Sequence, residues 1–506
     1  MEKIMFLCLL FSMPSLLTAQ FRHYDFIGAG HDNEITITTS SNSEESQKTV
    51  DGFPIQNEAQ LKEAARFLAQ ATFGADMATI QMTAAMGYEA WLDEQFALPQ
   101  IMVTTEMYQQ STIYNTLPSV EEEGIFRPWF ESAWMNNNLT APDLLRQRMN
   151  FILSEIFVIN NNSDFFEDVA QIGSTYYDQL GGNAFTNYRT LIQDVTLSPA
   201  MGIFLSHYNN PKADPTRNIR PDENYAREIM QLFSIGLWEL DEFGNRRFDN
   251  DGQFIPTYNN EDIREFAKVF TGLGDGTPSG EFGTVAEDEE IDEEGSLVAT
   301  VTTPMRMYED YHDVTEKRLL NGVVLPAGQT GMQDLNQTLD HLSSHPNTAP
   351  FIARSLIRFL TTSNPSPLYV RRVAEVFNPF EANNFQKVIK AILLDPEARN
   401  CQPTDNPDLG KLREPIVRYM NFLKAFPLQA NENGDFIFEF GELKDNIGQG
   451  PLGAPSVFNF FLPDYAPPGP ITNAFKVAPE FQILNSTNSI GTVSYTHLTL
   501  PTILLV

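Results

Sequence analysis

Residues 339–360 read LDHLSSHPNTAPFIARSLIRFL, a stretch that encodes either a metal site or a joint between two helices. His341 and His345 lie four apart. On one continuous helix both imidazoles would share a face and could share a metal ion. Pro346 breaks that continuity, because it drives the residue before it toward extended geometry. The residues on either side fit two helices, Gly331 to Ser343 and Thr348 to Thr361, with Asn347 or Thr348 capping the second. Phe351, Ile352, Leu356 and Phe359 of that second helix fall on its inward side. His341 then rides the end of one helix, and His345 opens the joint.

The same punctuation recurs outward from this point. In NEAQLKEAARFLAQATFG, Asn57 is an N-cap, Gln60 completes a capping box and Gly74 is a stop. Leu61, Ala64, Ala65, Leu68 and Thr72 make its stripe at helical spacing. Further helices are expected at Tyr88 to Ala97, Pro142 to Val158, Asn187 to Thr196, Asp222 to Leu237 and Asn260 to Phe270. Later ones are expected at Pro367 to Phe377, Phe385 to Leu394 and Lys411 to Ala425. Strand signals are short and few: EITITT, SLVATVTT and DFIFEF. The expected fold class is therefore mainly α, one large multi-helix domain with orthogonal or bundle-like packing. A few short β-hairpins and long loops complete it, and two lobes are compatible with the length.

The chain has 506 residues, 42% apolar, with 38 Phe, enough to bury a large core. Asp and Glu outnumber Lys and Arg 66 to 33, for a formal charge of -33. Such a surface repels nucleic acid and anionic membranes. Seven of the eight residues from Glu287 to Glu294 are acidic and read as a solvated loop. At the N-terminus, MEKIMFLCLLFSMPSLLTAQ has Lys3 ahead of an apolar run from Ile4 to Leu17 and a small-residue exit at Ala19. Residues 1–19 are expected to be a secretory signal peptide, which implies an exported protein with no transmembrane span after cleavage. Cys401 is then the one remaining thiol, so neither an internal disulfide nor a thiolate zinc site is expected. Residues 20–55 form a polar, Ser/Thr-rich arm and residues 56–490 the helical domain. Residues 491–506, with VSYTHLTLPTILLV, are similar to a translated sequencing-adapter tail and are expected to lie outside the native fold, with the true C-terminus beyond.

Several stretches carry a family resemblance. They are AARFLAQATFGA, GYEAWLDEQFALP, LRQRMNFILSEIFV, TLSPAMGIFLSHYNN, PDENYAREIMQLFSIGL and PTYNNEDIREFAKVFTGL. YHDVTEKRLLNGVVLPAGQTG, HPNTAPFIARSLIRFLTTSNPSPLYVRRVAEVF and KLREPIVRYMNFLKAF follow. In this order the chain resembles an uncharacterised bacterial family catalogued as domain of unknown function 1800. The resemblance implies exported, mostly helical proteins and supplies no reaction. It also implies that His312 and His345 occupy motif positions, whereas His341 does not.

Three constellations carry candidate chemistry. In the helix opened by Pro221, Glu223 pairs with Arg227 and Asn224 with Glu228 one turn apart, beside the core stripe Ala226, Ile229, Met230 and Phe233. These polar residues suit a structural network, with Arg148, Glu155 and Glu265 as partners on other helices. Alternatively Glu228 serves as a general base or ligand. Asp249, Asp251 and Gly252 form a D-x-D-G element able to hold calcium, although an Asp/Asn/Gly turn explains the composition equally well. His312, Asp313 and His345, with Lys317 nearby, would hold a divalent metal or perform acid–base work. The competing reading has each histidine bracing a loop.

Standard nucleophile elbows, phosphate loops and zinc-protease motifs are absent from the sequence. The expected function is a non-catalytic binding or scaffold protein of the cell envelope, with an envelope protein or glycan as partner and no nucleic acid. The alternative is a metal-assisted hydrolase using His312, Asp313, His345 and Glu228.

Overall fold

A computed structural model describes residues 49–50, 53–54, 57–115, 127–160, 169–283, 296–400, 410–426 and 443–484. The first run of helices is α1 Glu58–Ala71, α2 Met77–Met86, α3 Tyr88–Ala97, α4 Val103–Asn115, α5 Arg127–Thr140, α6 Leu144–Ile156, α7 Ala170–Asn183, α8 Tyr188–Leu197 and α9 Pro199–Phe204. The second is α10 Asn224–Gln231, α11 Asn260–Val269, α12 Ser296–Thr302, α13 Gly331–Ser343, α14 Thr348–Leu360, α15 Pro367–Val376 and α16 Asn384–Leu393. The last is α17 Pro396–Arg399, α18 Pro415–Lys424, α19 Leu443–Ile447 and α20 Pro470–Asn473. The protein is thus mainly helical, as the punctuation predicts.

Strands are two residues each and pair antiparallel: β1 Thr49–Val50 with β2 Phe53–Pro54, β3 Leu273–Gly274 with β4 Arg306–Met307, and β5 Lys317–Arg318 with β6 Val324–Leu325. The stretches EITITT and DFIFEF lie outside the described residues, as do the 1–19 leader, Cys401 and the acidic run at 287–294. SLVATVTT, expected as a strand, is instead α12. Its β-branched residues are accommodated because Val298 and Val301, three apart, meet the core together, and the Thr302 hydroxyl donates to the Val298 carbonyl at 2.6 Å.

Helix α1 starts as its cap residues dictate. The Gln60 N–H donates to Asn57 Oδ1 at 3.0 Å, and the Asn57 N–H donates to Gln60 Oε1 at 3.2 Å. It buries Ala64, Phe67, Leu68 and Ala71 against the core. At the centre lies α6, buried from Gln147 through Ile156 and packed on α1, α3, α5 and α7. A helix enclosed on all sides must be mostly apolar, and its polar members must find partners inside. Arg148 and Glu155 are its charged members there, beside the polar Gln147, Asn150 and Ser154.

One continuous hydrophobic cluster runs from Ala64 to Leu452, with Trp91, Trp134, Tyr176 and Tyr177 fully buried in it. Among the described residues no helix is long and apolar enough to cross a membrane.

Candidate functional site

The predicted joint is present between α13 and α14. Asn347, however, spends its side chain elsewhere than on the N-cap. Its Nδ2 donates to the Ile235 and Trp238 carbonyls at 2.9 and 2.8 Å, and its Oδ1 accepts from the Leu240 N–H at 3.0 Å. The Thr348 hydroxyl donates back to the Leu342 carbonyl at 2.6 Å. The joint therefore pins the chain that follows α10, which ends at Gln231, well short of the expected Leu237. Gly236 follows in that segment. It adopts φ +74°, and a Cβ there would lie 2.8 Å from the Phe351 ring.

The two motif histidines do not converge. His312 is fully buried. Its Nδ1 lies 2.9 Å from the Thr271 carbonyl oxygen, and its Nε2 lies 3.0 Å from Asp334 Oδ2. Lys317 donates to the same Asp334 oxygen at 2.6 Å, and Gln329 donates to Asp334 Oδ1 at 2.7 Å. Burial opposes ionisation of Asp334, but these donors and the Lys317 charge outweigh it and hold the carboxyl below its ordinary range. Asp313 turns away to accept from the Thr315 N–H and hydroxyl at 2.8 and 2.5 Å.

His345 lies beyond the other end of α13 from Asp334. Eleven residues separate the two, roughly 16 Å along a helix. Its Nδ1 accepts from the Asn347 N–H at 3.2 Å, and burial, reinforced by His341, pushes it down to about 4. The His341 and His345 rings stand 6.4 Å apart at 83°. Among the described residues no group of three or more His, Cys, Asp or Glu side chains is arranged to hold a metal ion.

Of the α10 residues, Arg227 and Glu223 pair at 3.8 Å at the surface, and the Asn224 N–H donates to Asp222 Oδ1 at 2.8 Å. Glu228 faces inward. It is buried, its Oε2 has no partner among the described residues, and burial raises it to about 7 against the opposing pull of Arg227. The expected partners Arg148, Glu155 and Glu265 are engaged elsewhere, Glu265 with Lys268 at 2.5 Å and with the Arg318 N–H at 2.9 Å. At the hairpin tip, Asp249 Oδ1 accepts the N–H groups of Asp251 and Gln253 at 2.9 and 2.8 Å, and Gly252 adopts φ +76°. The D-x-D-G element closes a turn between the bridged Phe248 and Phe254.

Two arrangements lie beyond what the sequence reading isolates. The first is an ionic core. Arg148 of α6 and Lys411 approach Glu414 Oε1 at 3.5 and 3.6 Å, and Lys411 also pairs with Glu480 at 2.9 Å. Gln449 Nε2 donates to Glu155 Oε1 at 2.7 Å and to Glu414 Oε2 at 3.0 Å. The Glu155 and Glu414 carboxyls lie within hydrogen-bond reach. Burial and the neighbouring Glu414 charge push Glu155 well up; for Glu414, Lys411, Arg148 and the Glu155 contact overcome burial and hold it down. The two carboxyls are thus pushed apart, Glu155 toward its neutral form and Glu414 toward its ionised form.

The second is a cavity of about 430 Å³ between α14, the residues after α10 and the 457–464 segment. Helix α14 presents Phe351, Arg354, Ser355 and Arg358 to it, while Ile352, Ala353, Leu356 and Ile357 face the core. Arg246 comes from the hairpin, stacked 5.1 Å over Phe254. Arg354 donates to the Gly244 carbonyl at 2.8 Å and Arg358 to the Pro463 carbonyl at 3.0 Å, and the Nε of each is sealed from solvent without a partner. Burial lowers both guanidiniums, Arg358 to about 9, and Arg246 and Arg354 add like-charge pressure.

The chain matches the family model described as "Protein of unknown function (DUF1800)" over residues 66–502. It belongs to this family. No curated protein and no solved structure matches the chain. Within the DUF1800 match, both arrangements are built from stretches already quoted: Arg148 and Glu155 from LRQRMNFILSEIFV, Lys411 and Glu414 from KLREPIVRYMNFLKAF, Arg354 and Arg358 from HPNTAPFIARSLIRFL. One available signal was two arginines four apart on an otherwise apolar helix, in a chain where basic residues are outnumbered two to one.

Proposed function

We propose that this DUF1800 protein is an exported, non-catalytic binding protein of the cell envelope. What carries the reading is how the histidine nitrogens are used. His312 has both ring nitrogens engaged inside the fold, and His345, some 16 Å along α13 from the Asp334 that holds His312, accepts a backbone N–H. A metal-assisted hydrolase built on His312, Asp313, His345 and Glu228 would need these groups around one point. Binding chemistry, by contrast, has a ready place in the arginine-lined cavity, whose size falls within the range of small-molecule sites.

The test is elemental analysis of full-length protein purified without chelator, joined to a thermal-shift panel of envelope glycans and small organic anions. The expected result is no stoichiometric transition metal and a ligand-dependent rise in Tm. A stoichiometric metal that is lost in His312→Ala or His345→Ala would overturn the proposal in favour of the hydrolase.

A further inference from the structure

Two arginines one helical turn apart repel each other, and the repulsion grows as water is removed. A protein ordinarily answers such a pair with carboxylates. Arg354 and Arg358 receive only backbone carbonyls, from Gly244 and Pro463, and form no ion pair among the described residues. The acids nearest the cavity fall short of compensating them. Asp464 is 4.0 Å from Arg246, Glu480 is engaged by Lys411 at 2.9 Å, and Glu155 accepts from Gln449 at 2.7 Å. Three guanidiniums thus line the cavity beside three carboxyls, each of which serves another partner and none of which pairs with Arg354 or Arg358 among the described residues.

The other half of the lining is apolar and left open. Leu237, Phe458 and Leu462 are 47%, 43% and 41% exposed, beside Trp238 and Phe461. Uncovered large apolar side chains rimming a concave site mark a ligand with apolar surface. Asn347 fixes the wall that carries Leu237 to Leu240, and Gly236 lets the Phe351 ring close against it. The cavity is therefore set by the fold itself, with a cationic side and an apolar side held in place.

We infer that the cavity binds an amphiphilic organic anion, its acidic headgroup against Arg354 and Arg358 and its apolar body against Trp238, Phe458 and Leu462. A guanidinium fork suits a two-oxygen acid such as a carboxylate or phosphate monoester. The inference rests on the binding-protein reading and narrows it to one ligand class. A purely inorganic anion would leave the apolar rim uncovered, and a neutral amphiphile would leave the arginines without a counter-charge.

The experiment is isothermal titration of the full-length protein with decanoate and octyl phosphate, each below its micelle concentration, against 1-decanol and inorganic phosphate. The two acids should bind with one-to-one stoichiometry, at least about tenfold tighter than decanol or phosphate alone, as one charge-assisted contact in a sheltered site provides. Arg354→Met and Arg358→Met, which keep the side-chain stem and the helix, should each weaken decanoate by about tenfold or more while leaving decanol unchanged.

Equal affinity for decanoate and decanol in the native protein overturns the inference whether or not the variants fold. Undiminished decanoate binding in folded variants overturns it also. If the acids fail while an uncharged glycan raises Tm and is displaced by Trp238→Ala, the ligand class is wrong and the binding-protein reading stands. If a metal lost on His312→Ala appears instead, that reading falls as well.

Discussion

Glu228 and Asp334 are both buried carboxyls, and their surroundings push them in opposite directions. Among the described residues Glu228 Oε2 has no hydrogen-bond partner, and burial raises the carboxyl to about 7 against the opposing pull of Arg227. Its folded pKa exceeds its unfolded one, so the folded state holds the extra proton and stability falls as pH rises from about 4.5 to about 7. Glu228→Gln should therefore add about 1–3 kcal/mol at pH 8 and change little at pH 4, measured by urea unfolding at the two values.

Asp334 is depressed by His312, Lys317 and Gln329, so its contribution is present above its ordinary range near 3.8 and is lost as pH falls through the lower folded value. Asp334→Asn leaves Lys317 and His312 buried without their carboxylate, which should cost about 3–5 kcal/mol at pH 7. Guanidinium unfolding of the variant, in parallel with Asp313→Asn as an adjacent carboxyl outside the cluster, tests this. A loss no larger than that of Asp313→Asn would contradict the cluster's structural role.

At the scale of the element, the α13–α14 joint shows what a local pattern can and cannot convey. Helix α13 spans the expected Gly331 to Ser343 and stops ahead of Pro346, and α14 differs by one residue at its end. Those bounds depend on neighbours in sequence, and so they were legible. That Asn347 would leave the N-cap for the Ile235 and Trp238 carbonyls depends on a segment more than a hundred residues earlier, and no local rule contains it. The same reason hid the chemistry of Arg354 and Arg358. Their spacing is visible in the sequence, but the absence of facing acids is a property of the assembled walls. The helical outcome of SLVATVTT is the converse case, in which strand propensity yielded to packing of Val298 and Val301. Asn347→Ala removes three hydrogen bonds and strands two buried carbonyls, so a loss of about 2–4 kcal/mol is expected. The loss should be accompanied by faster hydrogen exchange at Trp238 to Leu240, and protection there equal to native would show that the pin does not hold the wall.

For the whole molecule, the ionic core joins parts of the chain that sequence separates by some 260 residues or more: Arg148 and Glu155 on central α6, Lys411 and Glu414 ahead of α18, Gln449 after α19, and Glu480 near the end of the described fold. Removing one partner from such a network strands the others in a low-dielectric interior, whereas a neutral partner exchanged for a neutral one strands nothing. The opposite shifts of Glu155 and Glu414 divide the two glutamates along this line. Burial and the Glu414 charge push Glu155 toward its neutral form, so Glu155→Gln keeps that form's charge and nearly its shape, and should alter stability by about 1 kcal/mol or less at pH 7. Glu414 is the anion between Arg148 and Lys411, so Glu414→Gln should cost about 3–5 kcal/mol, since both cations lose their counter-charge. Equilibrium denaturation of the two variants at pH 7 decides the matter. Equal losses would mean that a proton is not lodged on Glu155, and a larger loss for Glu155→Gln would place the charge on α6 instead of ahead of α18.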